Sequence, residues 1–133
     1  MAALETEIFT ALSGVSGMGA IVGTTPYRIY PVQAAQNAVL PYIVYTVIST
    51  RDIAVNMGSD GGVYQSRVQV DIYADTLTKS GGARDIRDLV RTALKRLRNS
   101  TIKDSIEING GAQLFENDPD AYRITMEYTV WHS

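Results

Sequence analysis

Apolar residues recur at helical spacing in two stretches of the chain. In the first, four of them share one face of a helix predicted from Ala2 to Leu12: Leu4, Ile8, Ala11 and Leu12. In the second, they repeat every three or four residues within a helix predicted from Thr78 to Arg98: Ile86, Leu89, Val90, Ala93, Leu94 and Leu97. Each helix therefore has one face suited to burial.

Strands are predicted where the pattern changes to alternation or to β-branched and aromatic runs. Tyr42–Ser49 is apolar on both faces, so we expect it inside the sheet. Tyr27–Tyr30 lies between two prolines, which confines it to an edge or a brief strand. The remaining strands are predicted at Val63–Ala74, at Ser105–Ile108 resuming at Gln113–Glu116 after a Gly110–Gly111 turn or bulge, and at Ala121–Trp131.

This order of elements predicts a single α+β domain over residues 1–133. We expect a mainly antiparallel sheet of about four strands with two helices packed on one face. The sheet residues Val68, Val70, Ile72, Ile124 and Met126 are expected to meet the helix residues Ile86, Leu89, Val90 and Leu97. A chain of 133 residues is long enough for one such core.

Composition excludes several classes of protein. Apolar residues make up 45% and charged residues 20%, values typical of a folded globular domain. With no cysteine there is no disulfide, which suits a reducing cytoplasm. The longest apolar run, Leu40–Ile48, is too short to cross a bilayer, and the first residues do not resemble a signal peptide. We therefore expect a soluble intracellular domain without membrane contact.

Candidate catalytic groups are few. The one histidine, His132, is the penultimate residue, where we expect an exposed and frayed end. Asp118 and Asp120 flank a proline, which favours a turn over a cation site or acid–base pair. Ser80–Gly82 lies near the start of the second helix and could hold an anion, but close packing or flexibility explains it better. We predict no enzyme, no metal and no cofactor.

The second helix carries a concentration of positive charge. From Arg84 to Arg98 it has six Lys or Arg residues against two aspartates, a net +4 in a chain whose net charge is −2. We expect Arg84, Arg87, Arg91 and Lys95 on its outer face, opposite the apolar stripe. Three interpretations remain open: a solvated surface, a subunit interface with an acidic neighbour, or contact with DNA.

Several segments together resemble a known family. In order and spacing the chain is similar to the tail-completion family of long-tailed bacteriophages, also called tail terminator or tail-to-head joining proteins. The resemblance covers nearly the whole chain, although Ser80–Gly82 departs from it where relatives more often have helix formers. It rests on Tyr27–Pro31, Leu40–Tyr45, Arg67–Ala74, Val90–Leu94, Tyr122–Ile124 and Tyr128–Trp131.

The resemblance implies a structural role without catalytic residues. Such proteins form a ring, typically of six subunits, that caps the finished tail tube and joins it to the head connector. The implied partners are other copies of the chain, the tail tube protein and a head–tail connector or head-completion protein. DNA would pass through the lumen without sequence-specific recognition. The implied location is the neck of the virion, after assembly in the host cytoplasm.

Two further expectations concern partners. The long loop Arg51–Gly62 is expected to contact a neighbour or the tail tube through Arg51, Asp52, Asn56, Met57 and Asp60. The alternative to the tail-completion role is a small nucleic-acid-binding or regulatory domain that uses the basic helix Arg84–Arg98.

Overall fold

Three helices and five strands make up the described part of the computed structural model, which comprises residues 4–23, 27–34, 39–52, 63–79, 81–99, 101–117 and 120–132. The helices are α1 (Leu4–Gly14), α2 (Met18–Val22) and α3 (Ala83–Leu94). The strands are β1 (Ile29–Pro31), β2 (Tyr42–Asp52), β3 (Tyr64–Ala74), β4 (Ile102–Asn117) and β5 (Asp120–His132).

The strands form one open, mixed sheet in the order β1-β2-β3-β5-β4. The short β1 runs parallel to β2, and every other pair is antiparallel. The predicted α+β class is confirmed, with five strands instead of about four and three helices instead of two. The additional helix is α2, which occupies the glycine-rich stretch after α1.

One face of the sheet carries the core. The even-numbered residues 66–74 of β3 and 124–132 of β5 are buried on the helix side, as their alternation predicted. α1 packs against α3 and β1, whereas α3 lies over β3, β5 and β4. The expected helix-on-sheet packing is therefore correct, but its helix residues differ. Ile86, Val90 and Leu94 are fully buried, while Leu89 and Leu97 are only partly buried.

α3 is shorter than predicted at both ends. Before it, Gly82 packs so closely that an added Cβ would lie 2.7 Å from Thr76 Oγ1 and 2.8 Å from a backbone carbonyl. This favours close packing as the reason for the glycine. After it, Lys95 is extended and Arg96 has a φ of 57°. Ser105 holds this end, since its hydroxyl donates to Leu94 O and accepts from Leu97 N–H.

The glycine pair in β4 forms an irregularity within one continuous strand, not a turn. The register with β5 shifts at three places, the last of them between Asn109 and Ala112. Gly111 has a φ of 126°, and a Cβ there would lie 2.9 Å from Ile124 Cγ2 and 3.3 Å from Arg87 Cδ. The sequence pattern suggested two short strands because these glycines interrupt the alternation.

Gly111→Ala is expected to lower the free energy of unfolding by about 2–4 kcal/mol, because it combines left-handed strain with a steric clash. Gly14→Ala is the matched control, since Gly14 has ordinary backbone and nothing within 4 Å of an added Cβ. Chemical denaturation measures both. Equal stability of the two variants would show that the bulge does not need a glycine.

Candidate interaction surfaces

The arginines of α3 line the side of the helix that faces β4. Arg91 donates from Nε to Glu107 Oε1 at 3.0 Å and from Nη2 to Gly110 O at 3.1 Å. Arg84 donates to Gln113 Oε1, and the stem of Arg87 packs beside the Gly111 bulge. Arg87 and Arg91 are only partly exposed, contrary to the expectation of an outer face, while Arg84 and, at the C-cap, Lys95 are exposed.

The physical reason lies in the helical angles. Each residue advances by 100°, so Arg87 and Arg91 each stand only one residue beyond a buried position, Ile86 and Val90. They flank the buried stripe and reach the neighbouring strand. The signal in the sequence was Glu107, a carboxylate on a strand position that points toward α3.

Glu107 also joins this surface to the core. Tyr128 is fully buried and donates its hydroxyl to the same Glu107 Oε1, at 3.0 Å. Burial raises the pKa of the Tyr128 phenol above its ordinary value, with further contributions from the charge of Glu107 and the hydrogen bond to it. The hydrogen bond to Glu107 likewise raises the pKa of Arg91. The cluster fixes β4 against both α3 and β5.

Stability is expected to fall above pH 10. The unfolded chain releases the Tyr128 proton at the ordinary tyrosine pKa of about 10, whereas the raised pKa in the folded chain keeps the proton in place. Because the unfolded state then binds fewer protons, the free energy of unfolding falls by up to about 1.4 kcal/mol per pH unit. Tyr128→Phe is expected to flatten this decline, which thermal melts between pH 8 and pH 11 would measure. An unchanged slope would contradict the assignment to Tyr128.

Charge reversal on α3 is expected to affect the monomer itself. Arg87→Glu with Arg91→Glu places a carboxylate beside Glu107 and removes the contact to Gly110 O. We expect a lower thermal midpoint by circular dichroism, whereas Lys95→Glu, at an exposed position without such a contact to β4, should leave the midpoint nearly unchanged. Equal midpoints for both would mean that the arginine contacts add nothing to stability.

The predicted partner-contact loop lies only partly within the described residues. Arg51 and Asp52 continue β2, and the Arg51 guanidinium donates to Gln65 Oε1 on β3 at 2.9 Å. Asn56, Met57 and Asp60 lie outside the described residues, as do Ser80, Asp118 and the side chain of Asp120. The strand is thus three residues longer than predicted.

The sheet face opposite the helices, here called the open face, carries a buried ion pair. Asp71 accepts hydrogen bonds at Oδ1 from Arg123 Nη2 at 3.1 Å and from Thr125 Oγ1 at 2.7 Å. Gln69 Nε2 donates to the other carboxylate oxygen at 2.9 Å. Since both oxygens are engaged, this carboxylate holds three strand positions together and is not a free acid–base group.

Tyrosines extend the same face toward β1. Tyr42 stacks on Tyr73 with 4.9 Å between ring centroids, and Tyr30 meets Tyr42 edge-on. The Arg123 guanidinium lies 5.7 Å from the centre of the Tyr73 ring. Tyr42, Tyr73 and Arg123 border a concavity of about 590 Å³ together with the chain after β1, and its wall includes Val32, Val44 and Asp71.

Exposed apolar side chains lie at both edges of the sheet. At the β4 edge are Ile106, Ile108 and Leu114, which are 41–51% exposed and are here called the β4 patch. At the β1 edge is Val32, which directly follows β1, is 71% exposed and is here called the β1 patch. Sequence analysis missed both, because a residue's neighbours across a sheet edge are absent from the linear pattern.

His132 is buried, contrary to the expectation of an exposed end. β5 extends to His132, which is paired with Tyr64 on one side and Ile102 on the other. Its Nε2 lies 2.7 Å from Ser66 Oγ, which in turn lies 2.8 Å from Thr50 Oγ1. This polar chain runs from the buried His132 and Ser66 to the exposed Thr50.

The described residues hold no group of three His, Cys, Asp or Glu side chains arranged to bind a metal. Within the same ranges, no helix is long and apolar enough to cross a membrane. The described surfaces carry apolar side chains at the sheet edges, tyrosines and charged side chains, which are common at protein–protein interfaces. The fold and its surfaces thus define an assembly module.

Comparison with known proteins places this module in a family. The family model for tail completion protein gp17 matches residues 6–133. The chain therefore belongs to the tail completion protein gp17 family and is a structural protein of the bacteriophage tail. The resemblance seen in the sequence is confirmed.

A solved structure shares the fold. A chain from the virion of a native gene transfer agent particle superposes with a TM-score of 0.75, covering 98% of this chain and 95% of that one. The two sequences are 14% identical, so the likeness shows the fold alone. No curated protein sequence matches the chain.

Proposed function

We propose that the chain forms a closed ring of six subunits that caps the finished tail tube and joins the tail to the head connector. The observation that carries this proposal is the family match, which covers residues 6–133. The ring would lie at the neck of the virion, after assembly in the host cytoplasm, and the proposal assigns it no catalytic step.

The two unlike edges of the sheet support a ring. A heterologous contact needs two different complementary surfaces on each subunit, and it closes when the rotation between subunits divides a full turn. A sheet with β1 at one edge and β4 at the other offers such a pair. A two-fold dimer would instead join one surface to itself.

The proposed partners divide by position. Other copies of the chain would meet at the edges, and the tail tube protein and the connector or head-completion protein would meet the two ring faces. We assign the loop of residues 51–62 to a neighbour or the tube, through Arg51, Asp52, Asn56, Met57 and Asp60. DNA would pass through the lumen without sequence-specific recognition. Lys95 remains a candidate for an interface or the lumen, together with Arg84, Arg87 and Arg91.

Two measurements test the proposed function. Light scattering during size exclusion should give one species of about six subunit masses at high protein concentration. Immunogold labelling of intact particles should mark the head–tail junction. A monomer at every concentration would contradict the self-assembled ring, and label at the distal end of the tail would contradict the joining role.

A further inference from the structure

We propose that the β4 patch of one subunit packs against the β1 patch of the next. This inference rests on the proposed ring and identifies which two surfaces meet in it. The occupant of each patch is therefore a second copy of this chain.

The β4 patch is one coherent surface. By register, Ile106 is opposite Thr129 and Leu114 is opposite Arg123, both on the open face. Ile108 points to the same face, where it borders a concavity together with Arg67 and Thr129. Three large apolar side chains thus stand on one side of an edge strand. Exposed apolar groups gathered at an edge are typical of a contact surface.

The β1 patch carries a second signal besides exposure. Val32 has a φ of 65°, a left-handed conformation that β-branched residues rarely adopt. Its N–H donates to Tyr45 O at 2.8 Å, which holds the strained residue against β2. The fold thus keeps an apolar side chain exposed at a position where glycine or asparagine would be less strained. Such strain is commonly retained at functional positions.

Charge on the neighbouring helices favours the same pairing. Residues 83–104, which form α3 and the start of β4, contain seven Lys or Arg against three Asp. At the opposite side, α1 packs beside β1 and has Glu5 and Glu7 but no basic residue. Joining the β4 edge to the β1 edge therefore brings a basic surface toward an acidic one. Joining two β4 edges, or two β1 edges, would bring charges of the same sign together, and these repel each other.

Side chains, not a shared β-ladder, would make the contact. β1 has only three residues and ends at Pro31, which lacks an N–H, and the three register shifts in β4 disturb its outer edge. A stable interface buries roughly 800 Å² on each partner, more than four side chains supply. The helices α1 and α3 must therefore contribute the remainder.

Cysteine pairs test the inference, because the natural chain has no cysteine. β1 and β4 are four strand spacings apart, about 19 Å. A bismaleimide crosslinker shorter than half that distance cannot connect a cysteine at the β1 edge with a cysteine on β4 of the same subunit. Val32→Cys is combined with Ile108→Cys in one variant and with Leu114→Cys in another. The control combines Val32→Cys with Thr92→Cys, an exposed position on α3.

At least one patch pair is expected to give a ladder of covalent oligomers that ends at the ring, while the control stays uncrosslinked. As a second measurement, Val32→Asn should keep or raise the monomer's thermal midpoint. It should also raise, at least tenfold, the protein concentration at which the oligomer dissociates. A ring by light scattering without patch crosslinks, or with a Val32→Asn oligomer of unchanged affinity, would overturn the inference and leave the proposed function intact. A monomer under all conditions would overturn both.

Discussion

Leu94→Ala is expected to lower the free energy of unfolding by about 2–5 kcal/mol, the range for a buried leucine that leaves a cavity. Leu94 is 1% exposed and lies in the last turn of α3, within the core between helix and sheet. Ile86 is fully buried about two helical turns earlier in α3, so Ile86→Ala should lower the free energy of unfolding by a similar amount. Denaturant titration of each purified variant gives the values.

Leu89→Ala provides the matched comparison. It removes the same atoms from the same helix, but Leu89 is only partly buried. Its Cδ2 would lie 3.8 Å from a Cβ added at Gly17, the N-cap residue of α2. We expect a cost of about 1–2 kcal/mol, because less apolar area is lost. If Leu89→Ala cost as much as Leu94→Ala, the orientation of α3 on the sheet would be wrong.

His132→Ala is expected to lower the free energy of unfolding by about 2–4 kcal/mol, and truncation after Trp131 should do the same. Both remove a buried ring and take from Ser66 one of its hydrogen-bond partners. This loss follows from the burial of His132, which the sequence predicted to lie at an exposed and frayed end. The thermal midpoint and the denaturant midpoint should both fall.

Two variants make the histidine prediction specific. Deleting Ser133 alone keeps His132 and should leave stability unchanged. Combining Ser66→Ala with His132→Ala should cost less than the two single costs added together, by about 1 kcal/mol, because the variants remove the same hydrogen bond. A His132→Ala protein as stable as the parent would contradict the polar chain.

Strand faces were predictable because their cause is local. The alternation in β3 and β5 follows from the two-residue repeat of an extended chain, and each even position is on the helix side. The face of α1 was predictable for the same reason. Boundaries were harder. α3 begins at Ala83 because the turn packs around Gly82, a contact with Thr76 that no periodicity contains.

The interaction surfaces were less predictable, because their partners are distant in sequence. Arg91 and Glu107 are 16 residues apart and meet only when β4 returns beside α3. The charge pattern of α3 predicted that Arg91 lies on the outer face of the helix. In the structure, Arg91 instead binds Glu107 on the neighbouring strand β4. His132 likewise lies near the end of the sequence. It is nevertheless buried, because β5 is paired there with both β3 and β4.

By itself, the sequence of this protein determined the α+β class, the buried faces of its main helices and strands, and the tail-completion family. These depend on local backbone repeats and on segment order, both written in the chain. Only the tertiary structure decided which arginines are bound internally, that His132 is buried, and that exposed apolar side chains lie at opposite sheet edges. Those properties arise from long-range pairing, in which residues far apart in the chain set one another's exposure and partners.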